Sequence, residues 1–168
     1  MIAAQPLPES ISVSELHKFI FDGLPVRGAI VRLTDAWQEI LQRRAGNSET
    51  GAYPEAVAAL LGEMSAASVL MQSNIKFNGA LVFQIMGDGP VKLAVAEVQS
   101  DLSLRVTASL AGEANYPLKG QQAPLANLVN ARGAGRCAVT LDPKDRKPGQ
   151  QPYQGVVSLN DVNGGRFE

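Results

Sequence analysis

The sequence holds one cysteine and one histidine in 168 residues, and its formal net charge is −1. A single thiol, Cys137, cannot close an internal disulfide or build a zinc site from several thiolates. A cytosolic compartment fits such cysteine usage best. His17 has no partner that the sequence assigns to it as an orienting group for a catalytic base, so a strand or surface role is expected. The charge balance, with pI about 5.9, lacks the basic excess that nucleic acid or an anionic membrane selects, and neither is expected as a partner. The clusters Arg43-Arg44 and Lys144-Asp145-Arg146-Lys147 are short and read as solvated turns. No uninterrupted apolar run approaches the roughly 18 residues of a membrane span. The first ten residues lack the basic start and long apolar core of a secretory signal.

Catalytic signatures are missing as well. G-x-S-x-G, H-E-x-x-H and paired metal ligands do not occur. The segment from Gly133 to Ala138 matches G-x-G-x-x-A by letter. Dinucleotide binding, however, needs that turn after a strand and at the start of a helix, and here a short helix precedes it and a strand follows. Gly87-Asp88-Gly89 is not followed by the G-K-[ST] of a phosphate loop. A non-enzyme is therefore expected. The rival reading is a small-molecule-binding enzyme domain that uses these two glycine turns, and a third is a plain structural adaptor.

What the sequence does have is apolar content, 45% by residue, in a chain of single-domain length. A domain of this size hides roughly 70% of its unfolded surface. Residues 1–12 read as a loose N-terminus and residues 13–168 as one domain. The most telling stretch is 75–95. Two apolar runs flank Gly87-Asp88-Gly89-Pro90, a strand, tight reversal and second strand. Leu81, Phe83 and Ile85 would share one face of the first strand, and Val91, Leu93 and Val95 one face of the second. Residues 26–33 predict a strand, while 13–21 alternate only partly. Thr34 reads as the N-cap of a helix to about Arg44, with Asp35 in its first turn and Trp37, Ile40 and Leu41 buried. A second helix starts at Tyr53-Pro54-Glu55, with proline at the first helical position. Val57, Leu60, Leu61, Met64, Ser68, Met71 and Ile75 recur at steps of three and four, an apolar stripe of about five turns.

Leu102, Leu104, Val106, Ala108 and Leu110 alternate with polar residues, which predicts a half-buried strand with one wet face. Residues 111–124 read as loop and 124–130 as a short helix. Residues 136–142 read as a strand with Cys137, Val139 and Leu141 on one face, and 153–159 as a last strand. Cys137 then reads as a small buried hydrophobe rather than a reactive thiol. The fold class expected is α+β, a mostly antiparallel sheet with helices packed on it.

Several segments together resemble the N-terminal part of the heat-shock protein 33 family of redox-regulated bacterial holdase chaperones. They are Phe19-Ile20-Phe21 with Val26-Arg27-Gly28, Tyr53-Pro54, residues 70–77, Gly87-Asp88-Gly89-Pro90 with Leu93-Ala94-Val95, and Tyr153-Gln154-Gly155-Val156-Val157. Their order and spacing span about 140 residues. The resemblance implies an ATP-independent chaperone of the bacterial cytosol that binds unfolding proteins under oxidative stress. It further implies, for full-length members, a C-terminal zinc module with four cysteines in a C-x-C and a C-x-x-C. Thiolate-bound zinc keeps such a chaperone inactive, and oxidation releases the metal and exposes apolar client-binding surface. Cys137 matches none of those four, so no metal residue carries over. Zinc is expected only through C-terminal cysteines absent here.

The chain is accordingly expected to be a fragment that stops before the last helix and strand of the family's N-terminal domain. That would leave an unpaired sheet edge, and a dimer or larger assembly is expected. A holdase needs an exposed apolar surface. The richest apolar sets, Leu81, Phe83 and Ile85 with Leu60, Met64 and Met71, are the client-binding candidates, although most of them are needed for the core.

Overall fold

A computed structural model describes residues 13–112 and 124–160. The N-terminus over 1–12, most of the loop over 111–124, and the chain from 161 onward with Asn163-Gly164-Gly165 lie outside the described residues. The elements in order are β1 (Glu15–Ile20), β2 (Arg27–Arg32), α1 (Asp35–Ala45), α2 (Glu55–Asn74), β3 (Gly79–Met86), β4 (Val91–Val98), β5 (Leu104–Leu110), α3 (Leu125–Val129), β6 (Arg136–Pro143) and β7 (Tyr153–Ser158). The α+β expectation holds. β1 and β2 form a two-stranded antiparallel sheet, and the other strands form a five-stranded antiparallel sheet ordered β5-β4-β3-β6-β7.

One helix covers part of that larger sheet. α2 lies against β3, β4 and β5 and also touches β2. Val57, Leu60, Leu61 and Met64 meet Ile85, Val91, Ala94, Ala96 and Ala108 in a single core cluster. Small residues on both sides bring the layers close. The buried Ser65 and Ser68 hydroxyls donate to the carbonyls of Leu61 and Met64 at 2.7 Å each, so neither is left unpaired in the core. By length and composition α2 could cross a membrane, but half of that window is buried inside the fold. It serves here as the core helix.

The predicted stripe holds as far as Ser68. Beyond it the buried line runs through Val69 and Gln72, leaving Met71 half-buried and Ile75 exposed, one residue past the helix. Residues at steps of three and four on a 3.6-residue helix drift around the axis, so the pattern does not follow one face for five turns. Pro54 is the N-cap, one position outside the helix, where it still needs no N–H partner.

The hairpin forms as predicted, but one face of its second strand is inverted. Ala94, Ala96 and Val98 are buried, while Leu93 and Val95 point to the opposite face and are half-buried. The cause is a bulge between Val91 and Leu93. One extra residue exchanges every later side chain between faces. β5 begins at Leu104 because Leu102 adopts a left-handed conformation, φ 66°. Its alternation from 104 onward is as expected.

The partly alternating segment 13–21 contains a full strand, β1, paired with β2 from Glu15↔Arg32 to Ile20↔Arg27. α1 has no fully buried residue; Trp37, Ile40 and Leu41 are each half-buried. Trp37 packs across α2 at Gly62, where an added Cβ would sit 3.4 Å from the indole ring. The hydroxyl at the start of α1 is that of Ser14, which accepts from Thr34 N–H at 2.9 Å and Ala36 N–H at 3.2 Å. Asp35 in turn accepts the Ser14 N–H at 2.6 Å. Hydrogen bonds to Asp35 from the Ser14 side chain foremost, then from the Ser14 and Ala36 N–H groups, hold its carboxyl below the usual aspartate range.

Candidate binding groove

In antiparallel pairing, directly opposed residues share a face. The registers Leu81↔Leu141, Phe83↔Val139 and Ile85↔Cys137, then Leu141↔Tyr153, Val139↔Gly155 and Cys137↔Val157, therefore place these side chains on the side that carries α2. α2 covers that side over β3, β4 and β5 but not over β7. The C-terminal turns of the helix overhang the uncovered part. Leu70, Met71, Asn74 and Ile75 from the helix side, with Leu81, Val139, Leu141, Tyr153 and Gly155 from the sheet, line an open groove of about 500 Å³. None of these nine residues is charged. Gly155 contributes to the opening: nothing lies within 4 Å of where its Cβ would be.

The groove runs out to an edge strand. β7 has β6 as its strand neighbour and, among the described residues, no strand on its other side. All of β7 but Ser158 is exposed; Tyr153 is 72% and Val157 61% accessible. A second exposed apolar surface lies on the β1–β2 hairpin, where Phe19, Ile20, Phe21, Leu24, Val26 and Ile30 are uncovered. The Phe19 and Phe21 rings meet edge to face at 5.6 Å.

The client-binding candidates named from sequence are mostly core. Leu60, Met64, Leu81 and Ile85 are buried, and Phe83 and Met71 half-buried. Only Met71 and Leu81 reach the groove. Sequence reasoning missed Tyr153, Gly155, Ile75 and Val139 as groove residues. Apolar density finds cores, whereas this surface is made by a gap in helix cover and a missing side chain. The exposed hydrophobic, glycine-containing run 153–157, read as the last strand, was the available signal.

The glycine turns do not form a ligand site. The backbone loop after α3 presents N–H groups, but a carboxylate of the chain already occupies it. Asp88 Oδ2 accepts from Ala134 N–H at 2.7 Å and Arg132 N–H at 3.1 Å. Those bonds, the Ala134 one foremost, hold the Asp88 carboxyl below its usual range. Gly89 packs against α3, where an added Cβ would fall 2.5 Å from the Leu128 carbonyl oxygen. An anion such as phosphate would have to displace Asp88. His17 lies exposed on β1 with Nε2 2.8 Å from Glu15. Cys137 is half-buried, and desolvation pushes its thiol pKa up, the reverse of what a reactive thiolate needs. Among the described residues no three His, Cys, Asp or Glu side chains gather as a metal site, so these residues do not fit zinc.

Comparison with known proteins agrees with this architecture. The model of the family described as Hsp33 protein matches residues 14–163. A 33 kDa chaperonin of Chromobacterium violaceum is 46% identical over 145 residues, covering 86% of this chain and 44% of the relative. That of Methylobacillus flagellatus is 42% identical, covering 86% and 43%. The chain thus spans less than half the length of these curated relatives. Among solved structures, the 33 kDa chaperonin (heat shock protein 33 homolog) of Thermotoga maritima superposes with a TM-score of 0.56 at 21% identity, covering 79% of this chain and 41% of that one.

Proposed function

The chain belongs to the Hsp33 family, and from that premise we propose that it is the client-holding part of an ATP-independent, cytoplasmic chaperone that binds unfolding proteins under oxidative stress. The observation that supports this most directly is the apolar surface the fold leaves uncovered: the β7 edge with its groove, and the β1–β2 hairpin. Unfolded chains expose apolar side chains and unpaired backbone groups, and both find partners there. Redox control, in this proposal, resides in sequence outside these 168 residues, because the one thiol present is half-buried with a raised pKa. Zinc is proposed only for the longer protein.

The test is aggregation of a heat-unfolded client, followed by light scattering. The 168-residue chain should suppress it without ATP, and hydrogen peroxide or Cys137→Ala should change little. Saturable nucleotide binding with no effect on aggregation would instead establish the small-molecule enzyme reading.

A further inference from the structure

Resting on the chaperone reading, we propose that β7 binds its client by strand addition: an extended, uncharged segment of the unfolded protein pairs along the outer edge of Tyr153–Ser158 and lowers a large apolar side chain into the groove beside Gly155. Three observations carry this. First, β7 presents a backbone edge with no strand partner among the described residues, and it carries no charged residue, no internal proline and no recorded bulge. Those are the usual devices that keep an edge from recruiting strands.

Second, edge and groove are in register. A residue opposite Gly155 on an added antiparallel strand falls on the side that carries α2, at the outer rim of the groove, where the missing Gly155 side chain leaves open space toward Val139 and the Met71–Ile75 end of the helix. Residues two positions away lie opposite Tyr153 and Val157. Main-chain hydrogen bonds would supply affinity for any sequence, and one pocket would select for an apolar residue. The 500 Å³ volume accommodates a large aromatic or aliphatic side chain.

Third, the strip is matched in charge to its occupant. The groove lining and β7 carry no formal charge, so a charged residue at the central position would be desolvated without a partner. The same edge is poorly suited to stable pairing with a second copy. Six residues extend about 20 Å and a sheet is about 10 Å deep, so edge-to-edge pairing buries of order 200 Å² per partner. Specific stable interfaces bury at least about 1,200 Å² in total. A weakly held, sequence-tolerant occupant suits an edge of this size.

The experiment measures fluorescence anisotropy of a labelled peptide of alternating Val and Thr with a central Phe. A second peptide of the same sequence is N-methylated on alternate backbone amides, which removes strand hydrogen bonding and leaves the side chains. Gly155→Trp fills the groove from a site with open space and no left-handed φ, and its fold is checked by circular dichroism and melting temperature. The unmodified peptide should bind. N-methylation should weaken it about tenfold or more, and Gly155→Trp should do so independently. Equal binding of both peptides overturns strand addition, even if the Trp variant misfolds. If the chain suppresses client aggregation while peptide binding ignores both changes, the holdase reading stands and this site is wrong. If aggregation is not suppressed at all, the holdase reading itself fails. A dimer seen by sedimentation and dissolved by Gly155→Trp would assign the edge to a second copy and overturn the proposal.

Discussion

Asp88 sits in the β3–β4 turn, yet its carboxylate is bonded to the loop that leads into β6, and its own N–H donates to the Val129 carbonyl at 3.1 Å. A residue chosen by turn chemistry thus also joins two distant parts of the chain. Because the N–H groups of Ala134 and Arg132 bind the ionised form, the folded pKa lies below the ordinary value, and the linkage has a definite sign. The contribution is present above the unfolded pKa of about 3.9 and disappears as pH falls through the lower folded value. Melting temperatures of the parent chain and Asp88→Asn should therefore differ at pH 7, and the gap should start to narrow only as pH falls below about 4; a gap unchanged down to the lowest pH at which both chains stay folded would contradict the assignment. Gly89 makes a complementary case. Its missing side chain lets α3 close on the turn, and the obstructing atom for a Cβ is a backbone oxygen at 2.5 Å, which cannot swing aside. Gly89→Ala should cost about 1–3 kcal/mol or more in chemical denaturation, as overpacking does.

α2 shows what an element adds to its residues. Its buried line is fixed by the sheet beneath it, so two apolar residues on the same helix have different value. Leu61 is fully buried in the core cluster, and Leu61→Ala should cost about 2–5 kcal/mol. Met71 faces the groove, and Met71→Ala should cost only about 1 kcal/mol. Urea titration of the two variants separates them. The same element explains what could be read in the sequence. Period and turn chemistry located α2, β5, α3 and β6 within one or two residues and placed the hairpin's reversal at 87–90, with its outer ends three to four residues off, because each signal is local. The inverted face of β4 was hidden, since a bulge is decided by the pairing of Val91 with Leu110 and Leu93 with Ser109 on another strand. The groove was hidden for a similar reason: it depends on where α2 stops covering a sheet whose outer strand lies some 80 residues later in the chain. Helix Thr34-Asp35 was located correctly, but the Ser14 hydroxyl at its start comes from 20 residues away.

Across the whole molecule, stability should grade from the centre outward. β3 and β4 each have two strand neighbours and lie under α2, whereas β7 is an uncovered edge and β1–β2 a separate two-stranded sheet. Amide hydrogen exchange should accordingly be slowest in β3, β4 and α2 and faster in β7 and β1–β2, because local opening costs least where few apolar contacts are lost. Equal protection across the five strands would show instead that the sheet opens as one unit. The strand order β5-β4-β3-β6-β7 has a further consequence during synthesis. β3 pairs on one side with β4, which follows it directly, and on the other with β6, which reaches Pro143. At translation rates of roughly 5–20 residues per second, the ribosome needs about 3–11 seconds after releasing Met86 to deliver that partner. For that interval the nascent chain offers the flank of Leu81, Phe83 and Ile85 to anything extended and apolar nearby. A protein that belongs to a chaperone family thus passes through birth as a potential client.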